Sequence, residues 1–251
     1  MAESLEQAWE LNQKGRNNVI IGGNLWLKMG NRNILNAIDL STLGLDRIEE
    51  DESGFRIGCM ATLRDIEMHE GLNKEFQNLF KEAVRHIVGV QFRNCATVGG
   101  SIFPKLGFSD VLTAFLACDT QVILYKKGEV SLREFIYMPL DNDILTHIYV
   151  KKDGRKTAYE SFRMTETDFP TLTCAMAMVD GRFETVLGAR PKHAEVVIDE
   201  ELADSLSKED VASYAKRVID KLQYGSNIRG SKQYRKQLSK VLISRCISRL
   251  T

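Results

Sequence analysis

Two double glycines, Gly22-Gly23 in "VIIGGNLW" and Gly99-Gly100 in "RNCATVGGSI", each stand beside an apolar run. Each pair strips two β-carbons from a short arc of backbone, so the chain there turns with φ > 0 or is approached closely by something else. Two readings stay open. Successive N–H groups with no side chain in the way form a concave donor surface for phosphate oxygens, which needs no lysine, and two such loops would hold a pyrophosphate. Alternatively each is a tight turn with close backbone packing. Neither stretch is a G-x-G-x-x-G or a G-x-x-x-x-G-K-[ST], so neither marks a Rossmann or P-loop site.

Around these loops helical and extended segments alternate. Leu5, Ala8 and Trp9 recur at helical spacing up to Gly15, and Val19, Ile20 and Ile21 then suit a buried strand that leads straight into the first double glycine. Short apolar segments follow in "NILNAIDLSTL" and "GFRIGCMATL", then helices over about 62–71 and 76–87, with the second double glycine after them. "DVLTAFLACDT" reads as a helix capped by Ser109, "QVILYKKGEVSL" as a strand and turn, and "DILTHIYVK" as an extended segment. The charged, glycine-containing "KKDGRK" marks a boundary, giving units over 1–153 and 154–251. Beyond it come three strand-like runs, "AYESFRM", "PTLTCAMAMVD" and "RFETVLGA", and then helices over about 208–224 and 231–249. Strands followed by helices predict a smaller C-terminal α+β domain with a three-stranded antiparallel sheet.

Charge and cysteine usage exclude several classes. Lysine plus arginine equals aspartate plus glutamate at 34 each, without the basic excess of a nucleic-acid binder. No apolar run approaches the roughly 20 residues needed to cross a bilayer, and the start "MAESLEQAWELNQKG" is unlike a secretory signal, so a cytoplasmic protein without membrane insertion is expected. Five scattered cysteines with no C-x-x-C pair, and four isolated histidines, indicate neither a disulfide framework nor a metal site.

The order "SLEQAWEL", "IIGGNLWLKM", "IDLSTL", "IGCMATLRDIE", "RNCATVGGSI", "FSDVLTAFLACDTQV", "SFRMTETDFPTLTCAMA" and "IRGSKQYRKQLSKVLISR" resembles the FAD-binding medium subunit of the molybdenum hydroxylases. That group includes xanthine dehydrogenase, carbon monoxide dehydrogenase and nicotinate dehydrogenase. The resemblance implies an α+β chain: a PCMH or vanillyl-alcohol-oxidase type FAD domain of two α/β subdomains, followed by the smaller C-terminal domain. It implies that Ile20, Ile21, Gly22, Gly23, Asn24 and Leu25, with Thr97, Val98, Gly99, Gly100 and Ser101, wrap the FAD pyrophosphate. Asp110 would then accept hydrogen bonds from the ribose or adenine side, or else serve as a helix N-terminal acid. Arg163 would stand near the flavin and stabilise its reduced form, or else form an ion pair. The first loop departs from the family pattern at Ile21, Asn24 and Leu25, and the bulky Trp26 comes next.

The resemblance further implies electron transfer in place of substrate activation. A molybdopterin-binding large subunit and a [2Fe-2S] small subunit would be partners, and NAD+ or another acceptor would take the electrons. No side chain need act as nucleophile, because the reactive group is the flavin. A non-catalytic flavin or nucleotide-binding module for assembly or regulation is the alternative.

Overall fold

The computed structural model describes residues 1–199 and 207–251. The chain opens with α1 (Leu5–Gln13), whose N-cap Ser4 hydroxyl accepts the Gln7 N–H at 3.1 Å. Next come β1 (Asn18–Ile21), the single turn α2 (Leu25–Lys28) and β2 (Asn36–Asp39). β1 and β2 pair in parallel with Ile20 opposite Ile38, which requires the crossover that α2 begins. The first double glycine lies at the top of β1, where the chain leaves the sheet.

β3 (Ile48–Glu50) and β4 (Gly54–Gly58) then lead to six short helices. They are α3 (Leu63–Met68), α4 (Glu70–Glu75), α5 (Leu79–Val84), α6 (Val90–Arg93), α7 (Val98–Ile102) and α8 (Asp110–Leu116). The helix expected over 62–71 breaks at His69, which is extended with ψ 108°. The His69 ring compensates: its Nδ1 accepts the Leu72 N–H at 3.1 Å and so caps α4. β5 (Thr120–Leu124), β6 (Gly128–Ser131), α9 (Leu132–Phe135) and β7 (Leu145–Lys151) complete this part. Its sheet runs β3-β4-β7-β5-β6, antiparallel throughout.

The C-terminal part has four described strands where the sequence indicated three. β8 (Lys156–Phe162), β9 (Leu172–Val179) and β10 (Arg182–Gly188) are the expected runs. β11 (Glu195–Asp199) is the addition, pairing antiparallel with β10 through Val196 opposite Val186. The order is β11-β10-β9-β8. α10 (Lys208–Asp220) and α11 (Lys232–Leu250) follow, and α11 lies on β8 and β9.

Strand β9, "LTCAMAMV", shows why this sheet holds the molecule together. Leu172, Cys174 and Met176 join the core under α10 and α11, with Leu187 and Ile243. Ala175, one residue out of phase, joins the other core together with Tyr159, Val186, Phe80 and Phe115. Side chains alternate across a strand, so one sheet serves two cores, and a strand buried on both faces reads as a continuous apolar run.

Candidate functional site

Both double-glycine loops open on one cavity of about 550 Å³, within the usual size range of small-molecule and cofactor sites. Ile20, Ile21, Gly22, Asn24, Leu25 and Trp26 line it from the first loop, and Thr97, Gly99, Gly100 and Ser101 from the second. The segment 140–145, with Asn12 and Asn18, lines it as well. Sequence reasoning passed over that segment, although "PLDNDIL" is rich in turn-forming residues.

The two loops touch, and the glycines are needed for that contact. Gly23 has φ +70°, and a β-carbon there would lie 1.8 Å from the Cys95 carbonyl oxygen. A β-carbon on Gly22 would meet Thr97 Oγ1 at 2.5 Å, and one on Gly99 would meet the Cys59 carbonyl oxygen at 2.7 Å. The two readings of the sequence therefore converge: close backbone packing between the loops is what shapes the cavity. Gly23 and Val98 do not line it themselves; Val98 is buried in the core.

Donors are distributed unevenly between the loops. Gly99 N–H donates to the Cys59 carbonyl at 2.9 Å, and Gly100 N–H to the N-cap hydroxyl of Thr97 at 3.1 Å. Both second-loop amides expected to face a phosphate are thus satisfied within the protein. In the first loop the N–H groups of Gly23, Asn24 and Leu25 donate to no protein acceptor among the described residues. Asn24 is left-handed, φ 54°, and starts α2 without a side-chain cap. Gly23 and Asn24 both have positive φ, and successive amides left unpaired in such a turn suit an anion.

Side-chain charge around the cavity is sparse. Arg32 is the one cation on the described wall. Asp143 accepts N–H bonds from Lys126 and Lys127 at 3.1 Å each and from Ile144 at 2.8 Å. Asp141 pairs with Lys127. The acids beside the cavity are therefore held by neighbouring protein groups, and burial pushes the Cys59 thiol up to about 12, so it carries no thiolate.

Asp110 and Arg163 stand elsewhere. Neither lines the cavity; they form a buried ion pair, Nη2 to Oδ1 at 2.6 Å. Arg163 also donates from Nη1 to Ser161 Oγ at 2.5 Å and from Nε to the Asp168 carbonyl at 3.1 Å. Asp110 Oδ1 accepts the Tyr159 hydroxyl at 2.5 Å. Burial pushes the Asp110 carboxyl up from its ordinary value, opposed by the Arg163 charge and the Tyr159 bond. The geometry joins α8 to the start of the C-terminal unit. The two side chains expected to stand at the cofactor contact each other.

The residues present fit an extended dinucleotide. They supply an open amide row, a cavity of suitable volume and an aromatic wall at Trp26, which is 37% exposed. Among the described residues no helix is long and apolar enough to cross a membrane.

Comparisons with known proteins agree with this geometry. The glyceraldehyde dehydrogenase medium chain of Sulfolobus acidocaldarius is 26% identical over 264 residues, spanning 96% of this chain and 93% of its own. The structure of quinoline 2-oxidoreductase from Pseudomonas putida 86 superposes with a TM-score of 0.90 at 17% identity, covering 99% of this chain and 94% of that one. A carbon monoxide dehydrogenase from Hydrogenophaga pseudoflava, lacking the Mo-pyranopterin moiety, gives 0.86 at 23% identity, covering 99% and 95%. At those identities the two structures speak for the mixed α/β fold. Residues 1–150 match the family described as the FAD binding domain in molybdopterin dehydrogenase. That segment carries both loops and the cavity between them, and the chain belongs to this family of FAD-binding domains.

Proposed function

We propose that this chain is the flavin-carrying electron-transfer subunit of a molybdenum hydroxylase-type oxidoreductase. It receives electrons from a [2Fe-2S] partner subunit, beside a molybdopterin-binding large subunit, and passes them to NAD+ or another acceptor. The observation that carries the reading is the convergence of both double-glycine loops on one cavity inside the matched segment. The medium-chain name of the Sulfolobus relative supports a multi-subunit setting.

Within this reading the units are 1–153, which binds FAD, and 154–251, which closes against it. The open amides of Asn24 and Leu25 hold the pyrophosphate, with Arg32 as its nearby cation. Gly22, Gly99 and Gly100 shape the wall beside it, and Thr97 keeps the second loop in place through the Gly100 N–H. Asp110 and Arg163 tie the two units together. FAD, when bound, supplies one- and two-electron chemistry; the protein supplies binding, orientation and exclusion of water.

Co-expression with the neighbouring reading frames tests the proposal. The chain is expected to co-purify with a cysteine-rich iron–sulfur subunit, and NADH or the complex's substrate should bleach the visible flavin absorbance of the assembly. Hydroxylation of an aldehyde or N-heterocycle by the isolated chain would refute it.

A further inference from the structure

Trp26 is the one bulky residue of the first loop that the pyrophosphate reading leaves without a part. It lines the cavity, stays 37% exposed, and stands within α2 directly after the open amides of Asn24 and Leu25. Three rings fix it. Phe169 stacks on it with centroids 5.2 Å apart and planes 29° apart, and Phe92 and Phe108 meet it edge-on at 5.9 and 5.8 Å.

Phe169 belongs to the C-terminal unit and is itself held. Phe108 meets it at 4.4 Å, and the Arg229 guanidinium lies over its ring at 4.9 Å. Arg229 pairs with Asp168 at 2.7 Å, and Asp168 Oδ1 accepts the Phe169 N–H at 2.7 Å. The result is a pile in the order Arg229, Phe169, Trp26, whose last member is exposed at the cavity. Aromatic rings attract one another in offset-stacked arrangements beyond what area burial supplies. A planar ring that stacks here would meet an indole already fixed in place, at little entropic cost.

We propose that Trp26 is the stacking wall for the isoalloxazine ring of FAD, held in position from behind by Phe169 and Arg229 of the C-terminal unit. The assignment rests on the FAD reading above and adds which side chain the flavin end meets. Through the pile, docking of the C-terminal unit sets how firmly the wall is held.

An indole in contact with a flavin quenches its fluorescence by rapid electron transfer from the ring, so the emission of bound FAD reads the contact directly. The experiment compares emission lifetimes of bound FAD, at measured flavin content, in the full chain and in Trp26→Leu, Trp26→Phe, Arg229→Gln and Trp9→Phe. Trp9 is the other tryptophan; it does not line the cavity and serves as control. Wild type and Trp9→Phe should be dark, and Trp26→Phe several-fold brighter with its FAD retained. Arg229→Gln should show a mixture of lifetimes, as the pile loosens. If Trp26→Leu releases FAD while Trp26→Phe keeps it, the need for a planar wall is supported. Equal lifetimes in wild type and Trp26→Phe would overturn the assignment while leaving the FAD reading intact, whereas a wild-type chain that takes up no FAD would overturn both.

Discussion

Replacing Arg163 by methionine removes a guanidinium that has three acceptors: the Asp110 carboxylate at 2.6 Å, Ser161 Oγ at 2.5 Å and the Asp168 carbonyl at 3.1 Å. Methionine keeps much of the apolar stem, so the main loss is electrostatic. Asp110, 5% exposed, would retain only the Tyr159 hydroxyl. Breaking a buried pair by removing one partner typically costs about 3–5 kcal/mol. For a chain of this size that corresponds to a fall in Tm of roughly 6–20 °C. Without Arg163 the Asp110 carboxyl, already raised by burial, rises further. A carboxyl whose folded-state pKa exceeds its unfolded value favours the folded state as pH falls, by about 1.4 kcal/mol per pH unit while the group is titrating. The deficit should therefore shrink as pH falls from neutral toward the unfolded value of about 4, as Asp110 takes up a proton. Asp110→Asn in the Arg163→Met background should recover part of the loss, since no buried charge remains. Urea unfolding of wild type, each single variant (Arg163→Met and Asp110→Asn) and the double variant, at neutral and mildly acid pH, gives the coupling energy. A variant as stable as wild type to within ~0.5 kcal/mol, with a shifted flavin midpoint potential, would refute the tie and place Arg163 at the cofactor.

Other outcomes follow from the same geometry. Gly23→Ala combines a left-handed backbone with a β-carbon 1.8 Å from the Cys95 carbonyl oxygen, so it should separate the loops and release FAD, as measured by flavin retention on gel filtration. Thr97→Ala removes the acceptor of the Gly100 N–H and should cost about 1 kcal/mol, as for other N-caps, read from the urea midpoint. Of the five cysteines only Cys95 is exposed, so native protein should react once, at Cys95, with a thiol reagent, as peptide mapping would show. The hydrogen bond from Arg229 holds the Asp168 carboxyl below its usual range. Its contribution is therefore present above the unfolded value of about 4 and lost as pH falls below it, where FAD-bound Trp26 emission should change.

The alternation of elements in the first part and the strands-then-helices order of the second were legible because they rest on local periodicity. β8, β9 and β10 fall where the apolar runs put them, and α10 and α11 begin close to their serine caps. The missed strand β11 carries a signal in "EVVID", three β-branched residues in succession, but it is short and preceded by irregular chain. At the site, the sequence identified both loops but not the distribution of their hydrogen bonds. Whether the Gly99 amide is free depends on the Cys59 carbonyl, from a segment distant in sequence. The Asp110–Arg163 pair and the Trp26–Phe169 stack likewise join residues of different units, and no local pattern encodes such contacts.

In our proposal the cavity between the two loops holds FAD. Purifying the chain, denaturing it and identifying the released flavin by chromatography against protein concentration tests this most directly. FAD at close to one equivalent per chain is expected in wild type, with a large loss in Gly23→Ala. Wild-type protein that carries no flavin and takes up none when FAD is added would contradict it.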